Sequence, residues 1–363
     1  MSSFQVGASL TISADGTERE GAAASAAFVS LATNDYYAKG ALVTLHSVHL
    51  HGGADRVLLV PGGGVSSWWR QRFRALKVKV VEVRPLRPSK ALQRAMRQER
   101  ARLQEQGLLE VLQPISYGGA FVKVHAWDPA LGYEKVVLLD GDLLAKRSLR
   151  PLLRLPALSA GKDLSDAFNY GVVVLKPDAE IHAGLVKLLG EATEADLQRY
   201  NSRTQSEAGL CDQTLVAGWL AERFRVNFFE DLARKRKPAL MSSEFNLVVS
   251  YRAKDRCDDP VERRAVEKAR ILHFANHWLN FEALVADRDA PGRVDSPRCY
   301  KAGFRYWHDV YHHALQVAAG EEGPAPRYQP LSDEGLSTPE EVKAVFLNFQ
   351  QIKEDFEGGS EEL

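Results

Sequence analysis

The stretch "EKVVLLDGDLLAK", residues 134–146, places two aspartates directly after a run of apolar residues. The apolar run, residues 136–139, has the character of a buried strand. Asp140 and Asp142 then stand on either side of Gly141. Two neighbouring carboxylates repel each other and lose hydration on burial, so either solvent exposure in a turn or a bound cation must offset that cost. The stretch therefore predicts a buried strand that ends in an acidic turn or in a metal site.

Other apolar segments on both sides of this stretch predict the rest of a sheet. The segments lie at residues 26–32 (AAFVSLA), 56–64 (RVLLVPGGG), 78–83 (VKVVEV), 167–177 (AFNYGVVVLKP) and 269–278 (ARILHFANHW). The first three alternate with helical patterns, which is typical of a parallel sheet covered on both faces. Such sheets bind ligands beyond the carboxyl ends of their strands. The sequence therefore predicts an α/β fold with a mostly parallel central sheet.

Helical spacing predicts the elements between these strands. A helix after the first strand should stop at Gly52 and Gly53, and shorter helices are expected at residues 118–127 and 211–224. Residues 88–114 predict a long helix, with Ser89 as its cap and Pro114 as its stop. Its arginines could touch an anionic ligand, but a solvated basic face is the preferred interpretation. They are Arg94, Arg97, Arg100 and Arg102.

Segment boundaries follow from composition. Residues 1–24 are small and polar, which predicts a flexible N-terminal segment. Residues 25–285 are expected to form the main domain, and residues 286–363 a helical C-terminal extension. The extension carries a helix start signal in which Thr338 caps, Pro339 takes the first helical position and Glu341 closes a capping box.

Composition excludes several classes of protein. The chain has 363 residues with 47 basic and 47 acidic side chains, so its formal net charge is zero. A balanced chain has no overall attraction for nucleic acid or for an anionic membrane surface. The N-terminus lacks the pattern of a secretory signal, and no stretch approaches the roughly 20 apolar residues that a membrane span needs. The expected location is the cytoplasm.

The three cysteines agree with that location. Cys211, Cys257 and Cys299 are far apart and odd in number, and no CxxC occurs. Neither a disulfide framework nor a thiolate zinc site is supported. A reducing compartment is the simpler interpretation.

The two aspartates of the acidic stretch can act together. Residues i and i+2 of an extended segment point the same way, so Asp140 and Asp142 can face one ligand, and Gly141 leaves the backbone accessible between them. Hard oxygen ligands suit Mg²⁺ or Mn²⁺ bound to a diphosphate. An acidic turn without metal is the simpler alternative for an isolated Asp-x-Asp. A phosphatase of the haloacid dehalogenase type is a weaker one, because that pattern usually continues Gly-Thr, whereas Leu143 and Leu144 follow here.

Several segments, taken together and in order, resemble glycosyltransferase family 8, and within it the glycogenin type. The resemblance extends over about residues 26–280. It implies a Rossmann-like GT-A fold and transfer of a sugar from a UDP-sugar with retention of anomeric configuration. The segments are FVSLATNDYYAKGALVTLHS (28–47), FVKVHAW (121–127), VVLLDGDLL (136–144), FNYGVVVLKP (168–177), CDQTLV (211–216) and ILHFANHW (271–278).

The resemblance assigns the nucleotide to the end of the first strand. Leu31, Thr33, Asn34 and Tyr37 match the positions of the family that bind uridine. Tyr37 could stack on uracil, while Thr33 and Asn34 offer hydrogen bonds. The alternative is that Asn34 simply caps the following helix, and both can hold.

The resemblance also assigns the metal and the sugar. Asp140, Asp142 and His273 match the family's metal ligands, and Lys123 matches a lysine near the diphosphate or the sugar. A mixed oxygen and imidazole site favours Mn²⁺, with Mg²⁺ as the alternative. Three further residues match positions around the transferred sugar, where an oxygen could stabilise developing positive charge, although Asp212 taken alone is equally a helix cap. These residues are Asn169, Asp212 and Gln213.

Four departures from the family pattern are visible. The family's Gly-x-x-Lys segment after the metal histidine is missing, and Asn276 or His277 could substitute for it at the diphosphate. Gly209 stands where the family has an aspartate near the acceptor, and the arginine before Lys123 has no clear counterpart. Tyr251 does not have the spacing from Asn246 that a self-glucosylated tyrosine would need. The acceptor is therefore expected to be a separate molecule.

The resulting expectation is a retaining, metal-dependent hexosyltransferase. It would move a hexose, glucose or galactose being the expected ones, from a UDP-sugar to a hydroxyl of a glycan, a protein or a small molecule. The alternative is a catalytically impaired nucleotide-sugar-binding or scaffold protein of the same fold. Neither the sugar nor the acceptor follows from the sequence, and the oligomeric state, a homodimer included, stays open.

Overall fold

The structure is a computed structural model of the chain. It describes residues 25–105, 121–162, 168–204, 212–223, 239–248, 260–274, 281–288 and 301–329. Predictions for the N-terminal segment, Pro114, the three cysteines, Gly209, Tyr251 and the helix after Thr338 lie outside these residues.

Two sheets occur in the described residues. The larger has seven strands in the order β3-β2-β1-β4-β7-β6-β8, and the smaller has three in the order β5-β10-β9. The strands are β1 (Ala26–Leu31), β2 (Asp55–Pro61), β3 (Lys79–Val83), β4 (Lys135–Leu139), β5 (Leu143–Ala145), β6 (Ser159–Lys162), β7 (Phe168–Leu175), β8 (Ala239–Leu240), β9 (Leu247–Val248) and β10 (Ile271–His273).

The larger sheet is mostly parallel, as predicted. Strand β1 pairs in parallel with β2 and β4, and β2 with β3. Strand β7 runs antiparallel to β4 and to β6, and β8 pairs in parallel with β6. The predicted fold class, an α/β fold with a mostly parallel central sheet and C-terminal helices, is confirmed.

Helices cover this sheet on both faces. Helix α1 ends at the predicted stop, where Gly52 has a positive φ of 74°. Helix α3 begins after its predicted cap, since the Ser89 hydroxyl accepts the amide of Leu92 at 3.1 Å. The helices are α1 (Asp35–Leu50), α2 (Ser67–Ala75), α3 (Lys90–Glu105), α4 (Ala179–Glu191), α5 (Glu194–Thr204), α6 (Asp212–Arg223), α7 (Pro260–Lys268), α8 (Phe281–Ala286) and α9 (Lys301–Ala318).

Alternation along the strands divides the core into layers. Val29 of β1 packs into a cluster with Val122 and Leu185, whereas its neighbour Phe28 packs into a separate cluster. Successive side chains of a strand point to opposite faces, so each central strand buries apolar residues on both sides. The continuous apolar runs seen in the sequence follow from this double burial.

The C-terminal helix α9 belongs to the core that contains α1. Trp307 is fully buried in the same cluster as Leu42 of α1. Its ring stacks on Phe281 and on Tyr311, with both centroid distances at 5.6 Å. Helix α9 therefore contributes buried aromatic surface to the layer over α1. The proposed boundary between residues 285 and 286 stays a prediction.

Two local features differ from the sequence expectations or were not anticipated. The helix predicted at residues 118–127 is a 3₁₀ helix over Phe121–Trp127. The strand predicted within residues 269–278 is β10, but it lies in the smaller sheet, whose other strands β5 and β9 have only two or three residues and were not predicted. Within the described part of the chain, no helix is both long and apolar enough to cross a bilayer.

Candidate active site

The carboxyl ends of β1 and β2 meet at one edge of the sheet. Asn34 follows β1, and its side-chain oxygen accepts the amide of Tyr37 at 3.1 Å, so Asn34 caps α1 as the simpler interpretation predicted. A Cβ on Gly64, in the turn after β2, would lie 2.5 Å from the carbonyl oxygen of Thr33. The glycine-rich turn therefore packs against the predicted uridine segment. Its contact with Thr33 depends on the parallel register of β1 and β2, which the sequence alone does not give.

The acidic turn lies beside the same edge. A Cβ on Gly141 would lie 3.4 Å from the carbonyl oxygen of Leu31, so the end of β1 and the acidic turn are contiguous. The hydroxyl of Thr44, buried on α1, lies 2.9 Å from the Leu143 carbonyl oxygen and 3.2 Å from that of Asp140. Helix α1 thus holds the turn from behind through a polar contact.

Two further backbone bonds hold the acidic turn to neighbouring strands. The amide of Asp140 donates to Gly171 of β7 at 2.9 Å, and the amide of Phe274 donates to the Asp142 carbonyl at 3.0 Å. Together with Thr44, these bonds fix the turn on three sides. The two carboxylates are therefore presented from a rigid backbone.

The structure brings the three predicted metal ligands together. His273 Nε2 lies 3.4 Å from Asp142 Oδ1 and 3.9 Å from Asp140 Oδ2. One ligand atom from each residue falls within 4.8 Å of the others. This proximity depends on β5, which follows the acidic turn and pairs antiparallel with β10, placing Leu143 opposite His273.

A buried amide relay orients His273. Its Nδ1 lies 2.9 Å from the side-chain oxygen of Asn246, and the Asn246 amide nitrogen donates to Asn169 Oδ1, also at 2.9 Å. An amide oxygen can only accept, so the proton of a neutral His273 sits on Nδ1 and the lone pair of Nε2 faces the carboxylates. Two carboxylates and an imidazole oriented in this way fit a divalent cation.

Glycine at position 171 leaves the space that this cluster occupies. A Cβ there would overlap the Cε1 atom of His273 and lie 3.0 Å from both Asp140 Oδ2 and Asn169 Oδ1. Gly171 is not among the glycines with positive φ, so the requirement is steric and not conformational. The need for space around His273 and Asp140 thus explains why a glycine interrupts the apolar run of β7.

Lys123 balances part of the negative charge. Its ammonium lies 2.8 Å from Asp140 Oδ1 and 3.1 Å from Oδ2, and the side chains of Lys123 and Asp140 are only 12% and 18% exposed. Burial raises the pKa of Asp140 above its usual value, although Lys123 opposes that shift. Burial lowers the pKa of His273, but Asp142 and Asp140 outweigh it, so that pKa is raised. The cluster therefore stabilises added positive charge.

A comparison with known families agrees with this geometry. The model for "Glycosyl transferase family 8" matches residues 28–160, which include the predicted uridine segment, Lys123 and both aspartates. This part of the chain is therefore similar to glycosyltransferase family 8. The matched part of family 8 ends before His273 and Asn246, so the assembly of the complete cluster is seen only in the structure.

The chain is also similar to curated glycogenins. Glycogenin-1 of Caenorhabditis elegans is 32% identical over 166 residues, covering 45% of this chain and 34% of that protein. Glycogenin-1 of Oryctolagus cuniculus is 29% identical over 172 residues, 47% of either chain. Human glycogenin-2 is 29% identical over 311 residues, 83% of this chain and 54% of its own. The chain thus spans a third to about half of the length of these relatives.

Two solved structures with a partly similar fold are also described as glycosyltransferases. The galactosyltransferase LgtC, in complex with donor and acceptor sugar analogs, is 15% identical with a TM-score of 0.42 and covers 85% of this chain and 98% of its own. The apo WbbM bifunctional glycosyltransferase is 13% identical with a TM-score of 0.45, over 80% and 53%.

Other predicted site residues lie at or beyond the ends of the described segments. Helix α6 begins at Asp212, where a helix start was predicted, but the side chains of Asp212 and Gln213 lie outside the description. Asn276 and His277 are not among the described residues. Their predicted roles stay predictions.

The histidines of α1 do not form a metal cluster in the described residues. His46 is buried, and its Nε2 lies 2.9 Å from Nδ1 of His313 on α9. His51 Nε2 lies 3.1 Å from the Tyr306 hydroxyl. Both rings connect the α1 segment to α9.

Asn246 was not predicted from the sequence as a member of this site, and a pair of substitutions tests its role. Asn246→Leu removes the acceptor of His273 Nδ1, so we expect the Mn²⁺ affinity to fall about 10–100-fold, as for other partners of metal ligands. Asn246→Asp keeps an acceptor and should lose less. Titration of free Mn²⁺ by electron paramagnetic resonance measures both. Equal affinities for Asn246→Leu and the unchanged protein would contradict the role.

Proposed function

We propose that this chain is a metal-dependent retaining hexosyltransferase that uses a UDP-sugar and a separate hydroxyl acceptor. The observation that carries the proposal is the convergence of Asp140, Asp142 and His273 with Lys123 at the sheet edge next to Leu31. The match of residues 28–160 to the family 8 model supports the reaction class.

The three ligands would hold Mn²⁺, with Mg²⁺ as the alternative. When bound, the ion would neutralise the diphosphate and act as a Lewis acid for the departing UDP. His273 contributes an imidazole with its proton already directed to Asn246, which favours Mn²⁺ because imidazole is a softer ligand than carboxylate. The carboxylates of Asp140 and Asp142 supply the two negative charges that a divalent cation requires.

Lys123 and Asn169 would act on the donor itself. The ammonium of Lys123 is held by Asp140 at the mouth of the acidic turn, where it can balance the anionic oxygens of a diphosphate. The side-chain oxygen of Asn169 accepts the amides of Gly171 and Asn246, so its amide nitrogen is the group that could donate to a sugar hydroxyl. Leu31, Thr33, Asn34 and Tyr37 would surround uridine.

Retention follows from the resemblance to family 8. The bond between the anomeric carbon and the phosphate oxygen breaks, and the acceptor oxygen bonds to the same face of that carbon. The acceptor proton passes to the departing phosphate oxygen. Asp212 and Gln213, at the start of α6, are the proposed groups that stabilise the developing positive charge of the sugar.

The second candidate function is nucleotide-sugar binding without turnover. It is motivated by the missing Gly-x-x-Lys segment after His273, because a lysine there would hold the diphosphate. Asn276 or His277 would have to take over that contact. The complete cluster of Asp140, Asp142 and His273 favours the enzyme, since a binding protein has no need to polarise a leaving group.

Release of UDP separates these candidates. The protein is incubated with UDP-glucose, UDP-galactose or UDP-N-acetylglucosamine and Mn²⁺, without acceptor, and UDP is quantified. Slow hydrolysis of one donor, abolished by EDTA, is expected for the enzyme. Donor binding without any UDP release, with or without a panel of hydroxyl acceptors, would establish the binding protein.

The mass of the intact protein tests whether the acceptor is a separate molecule. We expect this mass to stay unchanged in the same incubation, and an added hexose would contradict a separate acceptor.

Asp212→Asn tests the catalytic role of α6. Asparagine caps a helix as well as aspartate does, so stability should be preserved. Loss of the charge near the anomeric carbon should lower turnover on the order of 10²-fold, the size seen when one group that stabilises a transition state is removed. The measurements are turnover, donor affinity and thermal unfolding. Turnover within about threefold of the unchanged protein would return Asp212 to a capping role.

A further inference from the structure

A second cluster of metal-ligating side chains lies on the far end of the segment that carries Lys123. His125 belongs to the 3₁₀ helix Phe121–Trp127, Asp128 follows it, and His182 lies in the first turn of α4. One ligand atom from each of the three falls within 4.8 Å of the others. The cluster shares no residue with the acidic turn.

Both imidazoles are already close to the spacing of a bound metal. His125 Nδ1 and His182 Nε2 are 3.1 Å apart. Two nitrogens bound to one tetrahedral Zn²⁺ at its usual bond length are about 3.3 Å apart. The rings would therefore need only a small shift to accept the ion between them.

The surrounding groups direct the right atoms into the cluster. His125 Nε2 lies 3.0 Å from the carbonyl oxygen of Arg84, which can only accept, so a neutral His125 carries its proton there and has its lone pair on Nδ1. A backbone carbonyl in this position is the usual partner of a metal-bound histidine. His125 is buried with 6% of its surface exposed, so this orientation is held by packing.

The two carboxylate oxygens of Asp128 make different contacts. Its Oδ1 accepts the amide of Ala130 at 2.9 Å and caps the short 3₁₀ helix Pro129–Leu131. Its Oδ2 lies 3.9 Å from His182 Nδ1, at the partly exposed side of the cluster. The cap fixes the side chain while the second oxygen faces the histidines.

We propose that His125, Asp128 and His182 form a second metal site that takes Zn²⁺ or a similar transition metal. Two imidazoles with one carboxylate are a ligand set that zinc adopts with a fourth position left for water. The cluster around Asp140 has the opposite ratio, two carboxylates to one imidazole, which suits Mn²⁺. The two sites therefore select different ions.

Metal binding at this site would restrain the 3₁₀ helix Phe121–Trp127, which carries Lys123. The amide of Asp178, the cap of α4, already donates to the carbonyl of Trp127 at 2.9 Å, so α4 and the 3₁₀ helix meet at this point. A metal between His125 and His182 would add a bond between the same two elements. Lys123 lies two residues before His125 and contacts Asp140, so the position of that ammonium would become more rigid.

Zinc titration of the full chain tests the site. Zinc binding is measured by calorimetry in the Asp142→Asn background, which weakens the other cluster, and then after addition of His182→Gln. The glutamine amide can still donate to His125 Nδ1, which preserves the packing. We expect one zinc per chain in the first protein and a loss of affinity of at least about 100-fold in the second, more than removal of a mere partner costs.

Two further variants keep the test decisive. Asp128→Asn should also weaken zinc binding, since asparagine retains the cap but not the charge. His312→Ala is the control: it removes an exposed histidine that lies one helical turn from His308 on α9. This variant should leave the zinc affinity unchanged. Zinc should raise Tm by about 3 °C at saturation in every protein that retains the site. Unchanged zinc affinity in both His182→Gln and Asp128→Asn, or its loss in His312→Ala, would overturn the proposal.

Discussion

Asp142→Asn is expected to abolish turnover and metal-dependent UDP binding while the fold persists. Asp142 lies on the acidic turn, where its side chain is 30% exposed and approaches His273 Nε2 at 3.4 Å. Asparagine has the same shape but no charge, so it weakens a ligand to a hard divalent cation far more than it disturbs a turn. We expect turnover to fall by at least on the order of 10³-fold, because both metal binding and charge stabilisation are lost.

A matched substitution makes this expectation specific. Asp178→Asn is the same chemical change at the cap of α4, where Asp178 Oδ1 accepts the amide of Ile181 at 2.9 Å. Asparagine caps equally well, so this variant should keep stability, UDP affinity and turnover. The measurements are UDP release, calorimetric UDP binding with and without Mn²⁺, and circular dichroism. Substantial activity of Asp142→Asn, or full activity of the unchanged protein in EDTA, would contradict the metal-dependent mechanism.

Gly171→Ala is expected to disrupt the metal cluster by adding a single methyl group. That methyl would overlap His273 Cε1 and lie 3.0 Å from Asp140 Oδ2. The imidazole is 4% exposed and hydrogen-bonded to Asn246, so moving it aside would break that hydrogen bond and disturb the packing around it. We expect a loss of roughly 1–3 kcal/mol in the free energy of unfolding, as for overpacked cores. The Mn²⁺ affinity should fall by at least about 100-fold, because ligand geometry is lost.

Gly190→Ala provides the corresponding control. A Cβ at Gly190 of α4 would meet only the Arg87 carbonyl oxygen at 3.9 Å, which is ordinary contact. Alanine is also favoured over glycine inside a helix, so stability should be unchanged or slightly higher. Thermal unfolding and Mn²⁺ titration compare the two variants. Normal Mn²⁺ affinity in folded Gly171→Ala would show that the cluster does not need the space at this position.

The sequence by itself predicted the central strands and the candidate ligand residues. Strands β1, β2, β3, β4 and β7 were predicted from apolar runs, because strands buried on both faces need such runs. Asp140, Asp142 and His273 were predicted as one ligand set from the family resemblance, and the structure confirms that they meet. These features are local in sequence or carried by short motifs.

Only the tertiary structure decided what holds that cluster together. Asn246 and His273 are separated by 27 positions in the chain, and they meet because β9 and β10 pair in a sheet too short to leave a periodic pattern. The requirement for glycine at 171 arises from a histidine that lies about 100 residues later. The cluster of His125, Asp128 and His182 likewise exists only because α4 packs on the 3₁₀ helix. Contacts of this kind join residues that are distant in the chain, so they depend on three-dimensional packing and leave no local pattern in a single sequence.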